Sequence, residues 1–135
     1  MKGPRVALVG RALAGFLLCV GSLLDWWTWL GGPTALVIPG SVRGYEAWSG
    51  RAALVAGVGL LLHAALQIRT GRRHAAVAAL LAAVAALAVL AGPIEMPESV
   101  PRLITYRLET GYWVSVAGAA LAALATALEM LRPRA

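Results

Sequence analysis

Four polar side chains stand inside runs that are otherwise apolar. Arg11 lies about two turns into a run that begins at Val6. Glu129 lies near the end of another run that closes at Leu131, and His63 and Gln67 are four apart in a third. Residues four apart share one side of a helix. An ionised group within an apolar segment is costly unless its head reaches the polar boundary or an opposite charge neutralises it. Two arrangements satisfy these groups. Arg11, His63, Gln67 and Glu129 either form one polar cluster, or each reaches the headgroup layer of a membrane separately. The second makes the smaller demand on geometry and is the arrangement expected. A proton or ion route would need ionisable groups at mid-membrane depth. None of the apolar runs carries one near its centre, which argues against a pump or an ion-coupled transporter.

Other chemistry is sparse. His63 and His74 are eleven apart with no acid or cysteine at ligand spacing, so no metal is expected. There is no glycine-rich phosphate loop and no serine in a nucleophile-elbow context. No cofactor is expected, and a non-enzymatic protein is the leading reading. The one cysteine, Cys19, reads as a small apolar residue within the first run. Asp25, at the end of that run, is the expected partner of Arg51, at the start of the second. All five tryptophans, Trp26, Trp27, Trp29, Trp48 and Trp113, fall at the same side of the apolar runs. An aromatic belt marks both membrane interfaces. The one-sided bias therefore suggests an aromatic platform, joined by Tyr45 and Tyr106, that either holds a local sheet down or contacts a partner.

The elements that must position these residues are four apolar runs, about Val6–Leu24, Arg51–Ile68, Ala75–Ala91 and Trp113–Leu131. A helix rises 1.5 Å per residue, so ~20 residues cover the ~30 Å hydrocarbon core. With 135 residues, 60% hydrophobic and 13% charged, the chain reads as a single four-span bundle in the lipid bilayer. Cleavage of the first run as a signal peptide is not expected, because no small-x-small site precedes Asp25. The N-terminus, the 69–74 connection and the C-terminus carry eight cations against Glu129, a balance of +7. The other two connections carry four cations against five acids, a balance of −1. Positive segments stay cytoplasmic, so both termini are expected inside. The net charge of +6 is then a topology signal, and no nucleic-acid partner is needed to explain it.

The outside connections, about 25–50 and 92–112, are long enough for structure of their own. Trp26–Leu30 and Thr34–Ile38, joined by Gly31-Gly32-Pro33, read as a hairpin ended by Pro39-Gly40. Pro93, Pro97 and Pro101 keep the second connection irregular until Arg102–Leu108, a further strand. The expectation is a three-stranded antiparallel sheet. Small residues at four-residue spacing predict close helix packing. They include Gly10 and Ala14, Ala53 and Gly57, two stripes led by Ala75 and Ala78, and Ser115, Ala119, Ala123 and Ala127. The third helix, small on nearly every side, is expected to be the most tightly surrounded.

Gly10-Arg11-Ala12-Leu13-Ala14-Gly15-Phe16-Leu17, Leu23-Leu24-Asp25-Trp26-Trp27, Gly50-Arg51 and Gly111-Tyr112-Trp113 follow in this order around a short basic connection. In this the chain resembles the small four-span membrane proteins of actinobacteria, which are mostly of unassigned function. The layout also resembles the claudin-like tetraspan architecture, without the claudin disulfide cysteines. Neither resemblance implies catalytic residues. The function expected is an accessory, assembly or scaffold subunit of a bacterial plasma-membrane complex, with other membrane subunits or copies of itself as partners. The alternatives are a small oligomeric transporter, channel or lipid-handling protein, and an enzyme acting on lipid-linked substrates through Asp25, Glu46 and Glu109.

Overall fold

The computed structural model describes residues 3–29, 40–95 and 106–131. Four helices dominate: α1 (Gly3–Leu23), α2 (Trp48–Thr70), α3 (Ala75–Ala91) and α4 (Thr110–Met130). Three of them, α1, α2 and α4, are long and apolar enough to cross a membrane. The 17 residues of α3 give ~26 Å of helix, a few ångströms less than the hydrocarbon core. Helix α1 packs on α2 and α4, and α3 closes the ring by packing on the same two.

The helices are built inside out relative to a water-soluble bundle. Their buried faces are mostly alanine: Ala7 and Ala14 on α1, Ala53 and Ala56 on α2, Ala78, Ala82 and Ala85 on α3, and Ala119, Ala122 and Ala125 on α4, with Leu18 and Leu60 as large exceptions. Their outward faces are large and apolar, with Val9, Leu13 and Phe16 on α1, Val55, Leu62 and Leu66 on α2, Leu80, Leu87 and Leu90 on α3, and Leu124 and Leu128 on α4. Small inward residues let the backbones approach, which is how helices associate where the surroundings are as apolar as the side chains. The approach is closest where glycines face each other. A Cβ on Gly15 would lie 2.7 Å from the Gly57 carbonyl, and one on Gly57 2.9 Å from the Gly15 carbonyl. A Cβ on Gly111 would similarly lie 2.8 Å from the Gly21 carbonyl, where α4 meets α1.

Two expectations about packing are corrected. The helix most extensively surrounded is α1, whose broadest contact is with α4; α3 is less enclosed. Alanine on every side gives α3 little side chain with which to reach its neighbours. In α4, Ser115 and Ala119 are buried but Ala123 and Ala127 are exposed, and the buried line continues through Ala122, Ala125 and Thr126. Four residues turn a helix by 400°, so a strict four-residue stripe drifts by ~40° per step and leaves the interface.

A three-stranded antiparallel sheet caps one end, in the order β2 (Gly40–Arg43), β1 (Asp25–Trp29), β3 (Tyr106–Leu108). Strand β1 is central, pairing Trp29 with Gly40 on one side and with Tyr106 on the other. The expected strand 34–38 and the first part of the expected strand 102–108 lie outside the described residues. The partner of β1 seen here, β2, follows Pro39 rather than preceding it. A 3-10 turn, Gly44–Glu46, leads from β2 into α2. At the opposite end, Gly71 adopts φ 68°, a left-handed conformation open to glycine, and stops α2 with its N–H on the Gln67 carbonyl at 2.9 Å. That turn makes α2 and α3 antiparallel neighbours.

Candidate functional site

Arg11, His63 and Glu129 meet at the end of the bundle that carries the α2–α3 connection. Arg11 is fully buried, and its Nη2 lies 2.7 Å from the buried Oε2 of Glu129, a side chain only 10% exposed overall. The pair is close, but its angles fall short of a linear hydrogen bond. Arg11 Nη1 reaches His63 Nδ1 at 3.4 Å, and Arg11 Nε donates to the Ala7 carbonyl one turn earlier at 3.4 Å. His63 Nε2 lies 3.2 Å from the His74 carbonyl oxygen. A guanidinium only donates and a carbonyl only accepts. His63 Nδ1 is therefore the acceptor, Nε2 carries the hydrogen, and the ring is neutral in this arrangement. The His74 carbonyl also receives the amides of Val77 and Ala78, in the first turn of α3. One charged pair and one imidazole thus tie α1, α2, the connection and α4 together.

The separate disposition of these groups, expected from sequence, is replaced by a cluster. The reason is depth: a buried guanidinium has no aqueous route, so it takes the acid on the neighbouring helix. Gln67, the fourth expected member, is half-buried and its Oε1 makes no hydrogen bond among the described residues. Thr126 was not foreseen. It is buried one turn before Glu129, with Oγ1 likewise unpaired among the described residues.

The tryptophan-rich end is layered. Trp26 and Trp27 are fully buried, with ring centroids 5.5 Å apart. Trp26 meets Tyr112 edge-on at 5.5 Å and donates from Nε1 to the Gly21 carbonyl at 2.9 Å. Tyr112 donates in turn to the Val89 carbonyl at 2.9 Å, joining α4 to α3. Gly44 and Gly92 press on the Trp26 indole: a Cβ on Gly44 would collide with Nε1, and one on Gly92 would lie 3.1 Å from Cζ3, a tight contact. Trp26 therefore fills the mouth of the bundle. Trp48 and Trp113 form an outer layer, 75% and 58% exposed. Trp29 and Tyr106 lie half-buried in the sheet, and Tyr106 donates to the Pro93 carbonyl at 3.3 Å.

No family model, curated protein or solved structure matches this chain.

The polar groups of this end are occupied locally. Asp25 and Arg51 form no ion pair, contrary to expectation. Arg51 Nε donates to the Tyr45 carbonyl at 2.8 Å and the guanidinium lies 5.4 Å from the centre of the Trp48 ring, a cation–π contact. Asp25 instead stands across the β1–β2 ladder from Arg43. Tyr45 and the Asp25 and Glu46 carboxylates push the Arg43 pKa upward, so this guanidinium stays charged. Tyr45 itself is half-buried.

Glu95 has a role that the sequence reading missed. Its two carboxylate oxygens accept the amides of Trp48 at 2.9 Å and Ser49 at 2.8 Å. Helix α2 starts after Ala47, which has no side-chain acceptor to cap it. That deficit was the available signal: an uncapped start requires an acceptor from elsewhere in the chain. Glu109 similarly accepts from the Thr28 hydroxyl at 2.6 Å, fastening β1 to the start of α4. Glu46 accepts its own neighbour, the Arg43 amide, at 3.0 Å. These carboxylates hold backbone and hydroxyl donors.

Proposed function

We propose that the protein is a non-enzymatic accessory or scaffold subunit of a bacterial plasma membrane. In this reading it spans the bilayer four times with both termini in the cytoplasm and the sheet outside. The observation that carries it is the division of labour among side chains. Inside the bundle, polar groups and small residues are spent on joining its own helices. Outward, the helices offer large apolar side chains, and Trp48 and Trp113 stand exposed above them. Trp26 and Tyr112 fill one mouth of the ring, and the Arg11 cluster fills the other. A closed bundle with unspent outer faces suits association with other membrane subunits, or with copies of itself, better than passage of a solute through its centre.

Crosslinking in native membranes, followed by mass spectrometry of the captured chains, tests this. Specific partners at α-helical faces or near Trp48 and Trp113 are the expected result. A detergent-solubilised monomer with no crosslinked or co-purifying protein would overturn it.

The Arg11–His63–Glu129 cluster favours a second reading, a small oligomeric transporter or channel, because ionisable groups buried in membranes often mark solute routes. Flux in proteoliposomes that is abolished by changing Arg11 or Asp25 would place this reading first.

A further inference from the structure

We propose that the end of the bundle bearing the α2–α3 connection binds the phosphate headgroups of anionic phospholipids. The inference rests on the membrane reading above. Arg69, Arg72 and Arg73 are all exposed around the Gly71 turn, and Arg5, on the first turns of α1, is exposed at the same end. The contact of Arg11 with His63 fixes that shared end, since α1 leaves it as α2 arrives. Among the described residues, none of these four arginines has a carboxylate within ion-pair distance. The described acids explain why. Asp25, Glu46, Glu95 and Glu109 are all at the sheet end. Glu129, at this end, is already neutralised by the buried Arg11. Burial of one arginine thus leaves the other four without a counter-charge among the described residues.

The connection also has a fixed shape. The Thr70 hydroxyl donates to the Leu66 carbonyl at 2.8 Å and accepts the Arg72 amide at 3.3 Å. His63 holds the His74 carbonyl at its far side. Three guanidiniums are therefore presented from a braced turn. Beside them lies an apolar collar: Ile68 is 72% exposed and Leu131 81%, with Leu66, Val77 and Met130 also outward. Cations at the same end of the bundle as exposed aliphatic side chains match a ligand with an anionic head and hydrocarbon tails. An inorganic phosphate or a nucleic acid would have no use for the collar. Each arginine near an anionic surface strengthens binding on the order of five-fold, and guanidiniums suit phosphate oxygens geometrically.

The test uses the full chain reconstituted in nanodiscs of equal phosphatidylcholine and phosphatidylglycerol, with retained lipids identified by native mass spectrometry. Phosphatidylglycerol enrichment of at least about five-fold, the effect of a single arginine, is expected. The triple variant R69Q/R72Q/R73Q should lose it, R69K/R72K/R73K should keep most of it, and R43Q/R107Q, at the other end, should leave it unchanged. Equal retention of both lipids by the natural sequence would overturn the proposal, as would enrichment that survives the triple glutamine variant. Displacement of phosphatidylglycerol by excess inorganic phosphate would reassign the surface to free phosphate and also overturn it. Extraction of the chain from vesicles by alkaline carbonate would overturn the membrane reading together with the proposal, whereas a carbonate-resistant protein without lipid preference would overturn the proposal alone.

Discussion

Arg11 Nη2 and Glu129 Oε2, separated by 118 positions in sequence, approach to 2.7 Å inside the bundle and join its first helix to its last. Removing one member of such a pair leaves the other charged and desolvated, which costs roughly 3 to 5 kcal/mol. Glu129→Leu and Arg11→Leu should each lower the thermal midpoint in detergent sharply. The double variant R11L/E129L should recover much of the loss, because two apolar side chains need no compensation. Additive losses in this double-mutant cycle would show that the two residues do not interact.

The two tryptophan layers should respond differently. Trp26→Ala empties a fully buried site and should destabilise the fold by about 3 to 5 kcal/mol. Trp48→Ala and Trp113→Ala, at exposed sites, should leave the midpoint nearly unchanged and instead weaken crosslinking to neighbouring chains. Thermal unfolding alongside crosslinking yields separates the two effects. Equal destabilisation by all three would contradict the layered arrangement.

Gly57 has no room for a larger side chain. A Cβ there would lie 2.9 Å from the Gly15 carbonyl, Leu18 Cβ and Cys19 Sγ. Gly57→Val should separate α1 from α2, lower the midpoint and raise the reactivity of Cys19 toward a small maleimide. Gly71→Ala, with no atom near its added Cβ, should act only through the strain of its positive φ. Comparable Cys19 labelling in both variants would disprove close packing at Gly57.

Loss of the Glu95 carboxylate should fray the start of α2. Glu95→Ala removes acceptors from both the Trp48 and Ser49 amides, at a cost of about 1 kcal/mol. Glu95→Gln keeps one acceptor and should lie between. Hydrogen exchange at those two amides is the direct readout, and unchanged protection in the alanine variant would sink the assignment.

Orientation is tested on whole cells. Cysteine placed at Thr28 should react with a membrane-impermeant maleimide, and cysteine placed at Thr70 should not. The reverse pattern would put the sheet in the cytoplasm.

The positions of the four helices and of two of the three strands in the described sheet were legible in the residues themselves; β2, at Gly40–Arg43, was not. Apolar run length and turn residues act locally, so helix ends fell within a few residues of expectation, and the strand at Trp26 and the one ending at Leu108 were visible from their residue types. The small-residue stripes were legible only over a turn or two, before the drift of a 3.6-residue helix carried them out of contact.

What the tertiary structure alone decided is which distant groups share a site. Sequence placed Arg11, His63 and Glu129 at similar depth but left them apart, since depth along a helix says nothing of rotation about its axis. Asp25 and Arg51 looked like natural partners, yet the strand ladder set Asp25 opposite Arg43 and the Tyr45 carbonyl took Arg51. The capping of α2 by Glu95 links residues 46 positions apart or more. Run length and residue type are one-dimensional and survive in the sequence. Azimuth, register and the choice among competing partners depend on how helices pack, and are fixed only when the chain closes on itself.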